Sequence, residues 1–209
     1  MDYLRHVTHY GHKNICRGVT DWRNPDGSMP IAQTRDFRTI DEMNEAIVVG
    51  INNCVGIDDV LIHAGDWSFG GYENIQKFWD RLICKNIHLV LGNHDSHIKK
   101  NREGVRDLFL SVNDRLEIQF NKKLIIVDHY PLSSWEEMRK GAIMLHGHCH
   151  LNNENKFGIG RRMDVGLDGS LNFSPYIILD ECVKLLEKRA IASELDNDHH
   201  LDKVVGKKG

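Results

Sequence analysis

The stretch Ile87-His88-Leu89-Val90-Leu91-Gly92-Asn93-His94-Asp95 decides the fold. Its first five residues are apolar except for His88, as in a strand covered on both faces, and the last four reverse that character abruptly. A turn needs Gly or Asn but has no use for His and Asp together, so Gly92-Asn93-His94-Asp95 reads as chemistry placed at a strand's carboxyl end. The arrangement recurs on both sides. Upstream, a weak strand from Tyr3 to Thr8 leads into Thr8-His9, and Val60-Leu61-Ile62 runs into Gly65-Asp66. Downstream, residues 124–127 deliver His129, and residues 142–145 deliver Gly147-His148-Cys149-His150. Polar residues from separate loops meet only if the fold brings every loop to one edge.

Helices fill the gaps between these runs. Thr39 followed by Glu42 forms a capping box, after which Ile40, Met43, Ile47, Gly50 and Ile51 share one face. Ile75, Phe78, Trp79, Leu82 and Ile83 match the spacing of a second amphipathic helix. Residues 116–120 and 124–127 read as a hairpin through Asn121-Lys122. Residues 176–179 read as a last strand, with Asp180 capping a helix that carries Cys182, Leu185, Leu186 and Ala190. Between residues 17 and 38 lies a long loop with a turn at Asn24-Pro25-Asp26-Gly27. The expected architecture is α/β: a layered α/β/β/α sandwich of mixed sheets with the polar loops at the strand carboxyl ends. A single domain over residues 1–195 and a polar tail at 196–209 follow from the same pattern.

Composition narrows the classes. A chain of 209 residues is most simply one domain, able to bury roughly 70% of the surface its unfolded form exposes. A net charge of −3 leaves no basic footprint for sequence-blind nucleic-acid binding, although a nucleotide substrate stays open. No run approaches the roughly 18 apolar residues of a membrane span, and the opening residues lack a signal-peptide core, so a soluble, cytoplasmic protein is expected. Five widely spaced cysteines without a Cys-x-x-Cys pair point to neither a disulfide framework nor a zinc knuckle. The oddity is 13 histidines, most of them in or beside the motifs.

Imidazole, carboxylate and amide oxygen together suit manganese, iron, zinc or nickel better than an all-oxygen magnesium site. Asp66 can bridge two ions through its carboxylate. Asn93 offers a neutral oxygen while His94 stays free to move a proton, and Asp95 is placed to hydrogen-bond that imidazole or its loop. In an extended Gly147-His148-Cys149-His150 both imidazoles project to one side and Cys149 to the other. His6, His63, His88, His97 and His146 read as neighbours of the motifs, and His12 is placed to face a substrate.

From His9 to His150, and on through Val165-Gly166-Leu167-Asp168, these residues resemble the calcineurin-like metallophosphoesterases, in particular compact bacterial and phage members. Those share an opening like His9 to Asn14 and a Gly-Asp motif followed by Phe-Gly. The resemblance implies two divalent metal ions. One would be held by position 7, His9, Asp66 and His150, the other by Asp66, Asn93, His129 and His148, with His94 as general acid. It implies hydrolysis of a phosphomonoester or phosphodiester, with a small phosphorylated compound or nucleotide as partner. Arg23, Arg35, Arg38, Arg161 and Arg162 are candidates to neutralise its charge.

One position departs from the pattern. Val7 stands where the family has an aspartate, and valine cannot ligate. Three readings follow: a hydrolase with one tight and one labile ion, a phosphate-binding or regulatory protein that has lost catalysis, or an altered start of the chain.

Overall fold

A computed structural model of the protein describes residues 2–5, 8–120, 122–169 and 173–192. Val7, Asn121 and the tail at 196–209, on which three of the expectations above rest, lie outside these residues.

Two sheets form the centre. The first contains β1 (Asp2–Arg5), β2 (Val60–His63), β3 (Ile87–Val90) and β4 (Ser111–Asn113), all parallel, with β9 (Tyr176–Ile177) antiparallel on the β1 edge. The second contains β5 (Arg115–Phe120), β6 (Lys123–Asp128), β7 (Ile143–His146) and β8 (Arg162–Asp164); β5 is antiparallel to β6, and the rest run parallel. Parallel strands share a direction, so β1, β2 and β3 release their loops at one end of the first sheet, as β6, β7 and β8 do in the second. Five of these strand ends, those of β1, β2, β3, β6 and β7, supply the five polar motifs.

Hydrophobic pattern explains the layers. α1 (Ile40–Asn52) buries Met43, Ile47, Val48 and Ile51, and α2 (Tyr72–Arg81) buries Ile75 and Phe78, against Leu61, Ile87 and Leu89 on the outer face of the first sheet. Ile62, Ala64 and Val90 on the opposite side meet Ile125, Val127, Ile143 and Leu145 of the second sheet. In β6 the alternation is strict, since Leu124 and Ile126 point outward to Trp135, Met138 and Met144. The layer over that outer face is thin, built from the segment around a single helical turn, Met138–Lys140. α3 (Ser96–Lys99) is one turn following the Asn93-His94 loop.

Three local expectations are corrected. α2 ends at Arg81, so Leu82 stays in the core while Ile83 is exposed. The last strand stops at Ile177, and Ile178–Val183 forms a π-helical turn leading into α4 (Lys184–Glu187). Asp180 therefore does not begin that helix; of the residues expected on its apolar face, Cys182 and Leu186 join the core between the sheets, whereas Leu185 and Ala190 are exposed. In the capping box, the Thr39 hydroxyl accepts the Glu42 N–H at 3.1 Å, but the Glu42 carboxylate takes the N–H of Arg38, one residue early. The long loop keeps its turn, with the Gly27 N–H donating to the Asn24 carbonyl at 2.8 Å. Among the described residues all five cysteines are free, and no helix is long and apolar enough to cross a membrane.

The Thr39 cap satisfies a helix donor that Ala leaves open, so Thr39→Ala is expected to cost about 1 kcal/mol. A lowered urea midpoint at unchanged slope checks it.

Candidate metal centre

Each sequence motif arrives from its own strand, and the loops are fastened to one another before any ligand is placed. The His9 N–H donates to the Asp66 carbonyl at 3.0 Å, and the Phe69 N–H to the Tyr10 carbonyl at 2.8 Å. The Thr8 hydroxyl donates to the Trp67 carbonyl at 2.6 Å and lies 3.0 Å from His63 Nε2, while His63 Nδ1 takes the Gly65 N–H at 3.3 Å. His63 is thus a buried buttress. The residue after each of the first two ligands is an aromatic anchor: Tyr10 stacks on Phe78 at 4.7 Å, and Trp67 packs on Phe78 and Phe109. Both rings are fully buried, each removal from water being worth on the order of 1.5–3 kcal/mol.

Asp95 ties the third loop in. Its carboxylate accepts the N–H groups of Asp66, Trp67 and Gly92, each at 2.8 Å. Burial pushes its pKa up to about 6 against the pull of these donors. Of the two roles open to it, bonding the His94 imidazole or holding the loop, the structure shows the second.

Around this frame Asp66, 2% exposed, is central. Its Oδ1 accepts the His94 N–H at 2.8 Å, and its Oδ2 lies 3.5 Å from His9 Nε2 and 3.4 Å from His129 Nε2. Two ligands on one tetrahedral ion at roughly 2.0–2.1 Å stand about 3.4 Å apart. His129 Nδ1 faces the Ala64 carbonyl at 2.9 Å, an acceptor only, so in the neutral ring Nδ1 carries the proton and Nε2 a lone pair. That lone pair meets Asn93 Oδ1 at 3.0 Å. The same logic fixes His150: its Nδ1 is 3.0 Å from Asp168 Oδ2, which leaves the lone pair on Nε2, 2.9 Å from His9 Nε2. Burial, followed by the neighbouring His150, holds the His9 pKa well below its ordinary value, so His9 is neutral as a ligand must be. His148 Nδ1 or Nε2, the His129 ring and Asp66 bring ligand atoms within 4.8 Å of one another. Lone pairs packed this closely repel unless a cation lies among them, and the mixed imidazole, carboxylate and amide set fits a borderline divalent ion.

The backbone reinforces the point. His9, Asp66, His148 and His150 all have positive φ, between 49° and 65°, a left-handed region costly for residues with a Cβ and concentrated at functional sites. This corrects the extended reading of Gly147-His148-Cys149-His150. His148 and His150 reach the centre through two left-handed kinks, not through strand alternation.

The remaining candidates divide. His94 is exposed beside His9, at 5.5 Å between ring centroids, with Phe69 at 4.6 Å. His12 packs on Phe69 at 3.7 Å and faces His94 at 6.2 Å; burial, then the nearby His94 and Arg35, lower its pKa to about 4. Arg23 is exposed and donates to the carbonyls of Thr20 and Trp22, and the Trp22 ring meets His12 at 5.9 Å. Arg35 is nearby but committed: it is 5% exposed, grips Asp168 with two bonds of 2.9 and 3.1 Å and donates to the Thr8 carbonyl at 2.8 Å. Arg38 lies exposed in a groove with Arg17, Asp36 and Glu42. Arg161 donates to the carbonyls of Gly141, Glu187 and Arg189, and Arg162 to that of Leu132, so these arginines brace the second sheet and do not join the cluster.

Asp168 was missed as a site residue. Burial alone would raise its pKa, yet the Arg35 guanidinium and the His150 bond hold it well below the carboxylate range, so it orients His150 as an anion. The signal was an aspartate closing Val165-Gly166-Leu167-Asp168, a short stretch that resembles the other motifs but is preceded by the polar Asp164 rather than by an apolar run.

The chain is similar to known proteins over most of its length. A sequence model described as calcineurin-like phosphoesterase matches residues 8–181. The uncharacterized protein MJ1445 of Methanocaldococcus jannaschii is 26% identical over 200 residues, covering 93% of this chain and 96% of its own. The Gene 66 protein of Mycobacterium phage D29 is 24% identical over 86% of this chain and 94% of its own. Among solved structures, the protein of unknown function AQ665 from Aquifex aeolicus superposes with a TM-score of 0.55 at 18% identity, over 84% of this chain and 94% of that one, a likeness of fold.

Asp95→Asn puts an amide N–H₂ against backbone donors and leaves at least one buried N–H unpaired. A loss of about 1–3 kcal/mol in urea unfolding is expected, with weaker divalent-ion binding in calorimetry.

Proposed function

The chain belongs to the calcineurin-like phosphoesterase family, and from that premise we propose that it hydrolyses a small phosphoester at a dinuclear centre. The observation that supports this is the convergence of donors: His129 Nδ1 faces the Ala64 carbonyl and His150 Nδ1 faces Asp168, which leaves lone pairs on both Nε2 atoms, while Nε2 of His9 and of His129 lie 3.5 and 3.4 Å from Asp66 Oδ2 and His150 Nε2 lies 2.9 Å from His9 Nε2. His9, Asp66 and His150 would hold one ion; Asp66, Asn93, His129 and His148 would hold the other. Manganese, iron, zinc and nickel all suit these donors. When bound, such a pair of ions supplies a nucleophilic water at neutral pH and charge stabilisation for the phosphoryl oxygens.

The chain's own groups do the rest. The His94 backbone is pinned by Asp66 Oδ1, while its exposed ring has no hydrogen bond among the described residues. That combination suits a general acid, which must keep its place yet give its proton to the departing oxygen. Phe69, His12 and Trp22 wall the approach on the His94 side, and the exposed Arg23, next to Trp22 in the chain, is the candidate to meet the negative charge of the substrate. A cleft of about 490 Å³ opens beside His150, lined by Arg35, Asn152, Asn155, Asp168 and Phe173, the size of a small-molecule site. A small phosphorylated compound or nucleotide fits this reading, acted on as a mono- or diester.

Two variants test it. His94→Ala is expected to lower kcat on a generic aryl phosphodiester by about 10²–10⁴ while bound metal, measured by elemental analysis, stays constant. Unchanged turnover would move the proton transfer elsewhere, and a wild-type chain that takes up none of the four metals at stoichiometric level would sink the hydrolase reading itself. Val7→Asp restores an anionic ligand beside His9 and is expected to raise the manganese-dependent rate and tighten one of two binding steps; an unaltered rate and titration would show that position 7 does not reach the ion.

A further inference from the structure

The left-handed kinks that turn His148 and His150 inward send Cys149 the other way, and it does not arrive in empty surroundings. Ligand atoms of Cys149, His146 and Asp164 all lie within 4.8 Å of one another, a second cluster separate from the one around Asp66. His146 and Asp164 are cross-strand partners at the carboxyl ends of β7 and β8, 2% and 1% exposed, whereas Cys149 is open to solvent. The sequence reading assigned His146 no role, and nothing in the proposed hydrolysis uses any of the three.

Their hydrogen bonds leave ligand positions open. His146 Nδ1 is 3.0 Å from the Gly147 carbonyl, which fixes the proton on Nδ1 and leaves Nε2 with its lone pair. Asp164 is held by backbone donors, with Oδ1 accepting the Gly166 N–H at 2.7 Å and Oδ2 the Leu151 N–H at 3.4 Å. Such N–H bonds orient a carboxylate while leaving further lone pairs on each oxygen. The thiol is the mobile member, reaching over from the loop.

We propose that Cys149, His146 and Asp164 form a second metal site, selective for a thiophilic divalent ion such as zinc, with water completing a tetrahedral shell. Sulfur, imidazole and carboxylate ligands on one ion match zinc, whose bonds of about 2.0–2.3 Å place neighbouring ligand atoms roughly 3.3–3.8 Å apart. Closing the cluster from its present spacing needs side-chain rotation of about an ångström, and Cys149 is free to make it. The ion displaces the thiol proton to solvent, and the thiolate with the Asp164 carboxylate neutralises its charge. Arg162, the neighbouring cation, is already turned to the Leu132 carbonyl. Occupation fastens Cys149 to β7 and β8 and thereby clamps the kinked segment that carries His148 and His150.

Cobalt(II) reads the site directly, because a thiolate ligand gives cobalt an intense near-ultraviolet charge-transfer band and the cluster around Asp66 contains no sulfur. Metal-stripped full-length protein titrated with cobalt is expected to develop that band. Cys149→Ser, conservative at an exposed position, is expected to abolish it and to lower bound cobalt by one equivalent; Asp164→Asn is expected to weaken the step at least tenfold. Asp66→Asn is expected to leave the band in place, which keeps this proposal separable from the hydrolase reading. Absence of the band in the wild-type chain, or its persistence in folded Cys149→Ser, overturns the site.

Discussion

Everything at the centre depends on two glycines that let the Asp66 and Asn93 loops touch backbone to backbone. A Cβ on Gly65 would stand 2.3 Å from His129 Nδ1 and 2.8 Å from Gly92 Cα; a Cβ on Gly92 would stand 2.2 Å from Asp66 Oδ1. No side chain fits at either place without moving a ligand. Gly65 also has φ +104°, which L side chains rarely adopt. The contact brings together the ends of β2 and β3, which pair in register from Leu61 with Ile87 to His63 with Leu89. The sheet sets the loops side by side, and the missing side chains set their depth.

On that contact rests a division between groups facing in and groups facing out. The Ala64 carbonyl takes the outward proton of His129 and Asp168 that of His150, so the inward Nε2 atoms of these two rings are acceptors without donors. The left-handed backbone at His9, Asp66, His148 and His150 costs on the order of 1–3 kcal/mol at each position. At His9 and Asp66 it persists because the surroundings over-determine it: three N–H bonds to Asp95, the Thr8 hydroxyl on the Trp67 carbonyl, and the Tyr10 and Trp67 rings locked in the core. Rigidity of this kind matters for ion binding, since ligands held apart in advance lose little entropy on coordination.

Much of this was legible in the chain because it is local. Strand identity follows from short apolar runs, and the placing of ligands at strand ends follows from motifs immediately after them. What escaped is non-local or conformational. Nothing near Arg35 announces that its guanidinium will meet Asp168, 133 positions away, so an arginine in a loop reads from sequence as a substrate contact alone, and its part as a buried brace stays hidden. Arg161 and Arg162 misled in the same way, their partners being carbonyls of other segments. Gly147-His148-Cys149-His150 read as extended because strand alternation also puts two histidines on one side; only dihedral angles separate that from two left-handed kinks.

The substitution at position 7 acquires a physical setting from Asp168. Under the dinuclear reading Asp66 is the single ligand carboxylate shared by both ions, and one carboxylate cannot neutralise two divalent charges. Anionic character enters the His9 and His150 side instead through Asp168, which makes the imidazole of His150 a stronger donor without touching the ion. Arg35, bonded to the same carboxylate, withdraws part of that gain. On that reading the pocket would carry more uncompensated positive charge than a site with a second ligand acid, and would hold its own metal less firmly and an anionic phosphoester more firmly. Charge that a second ligand acid would supply would then be left for the phosphoester to bring.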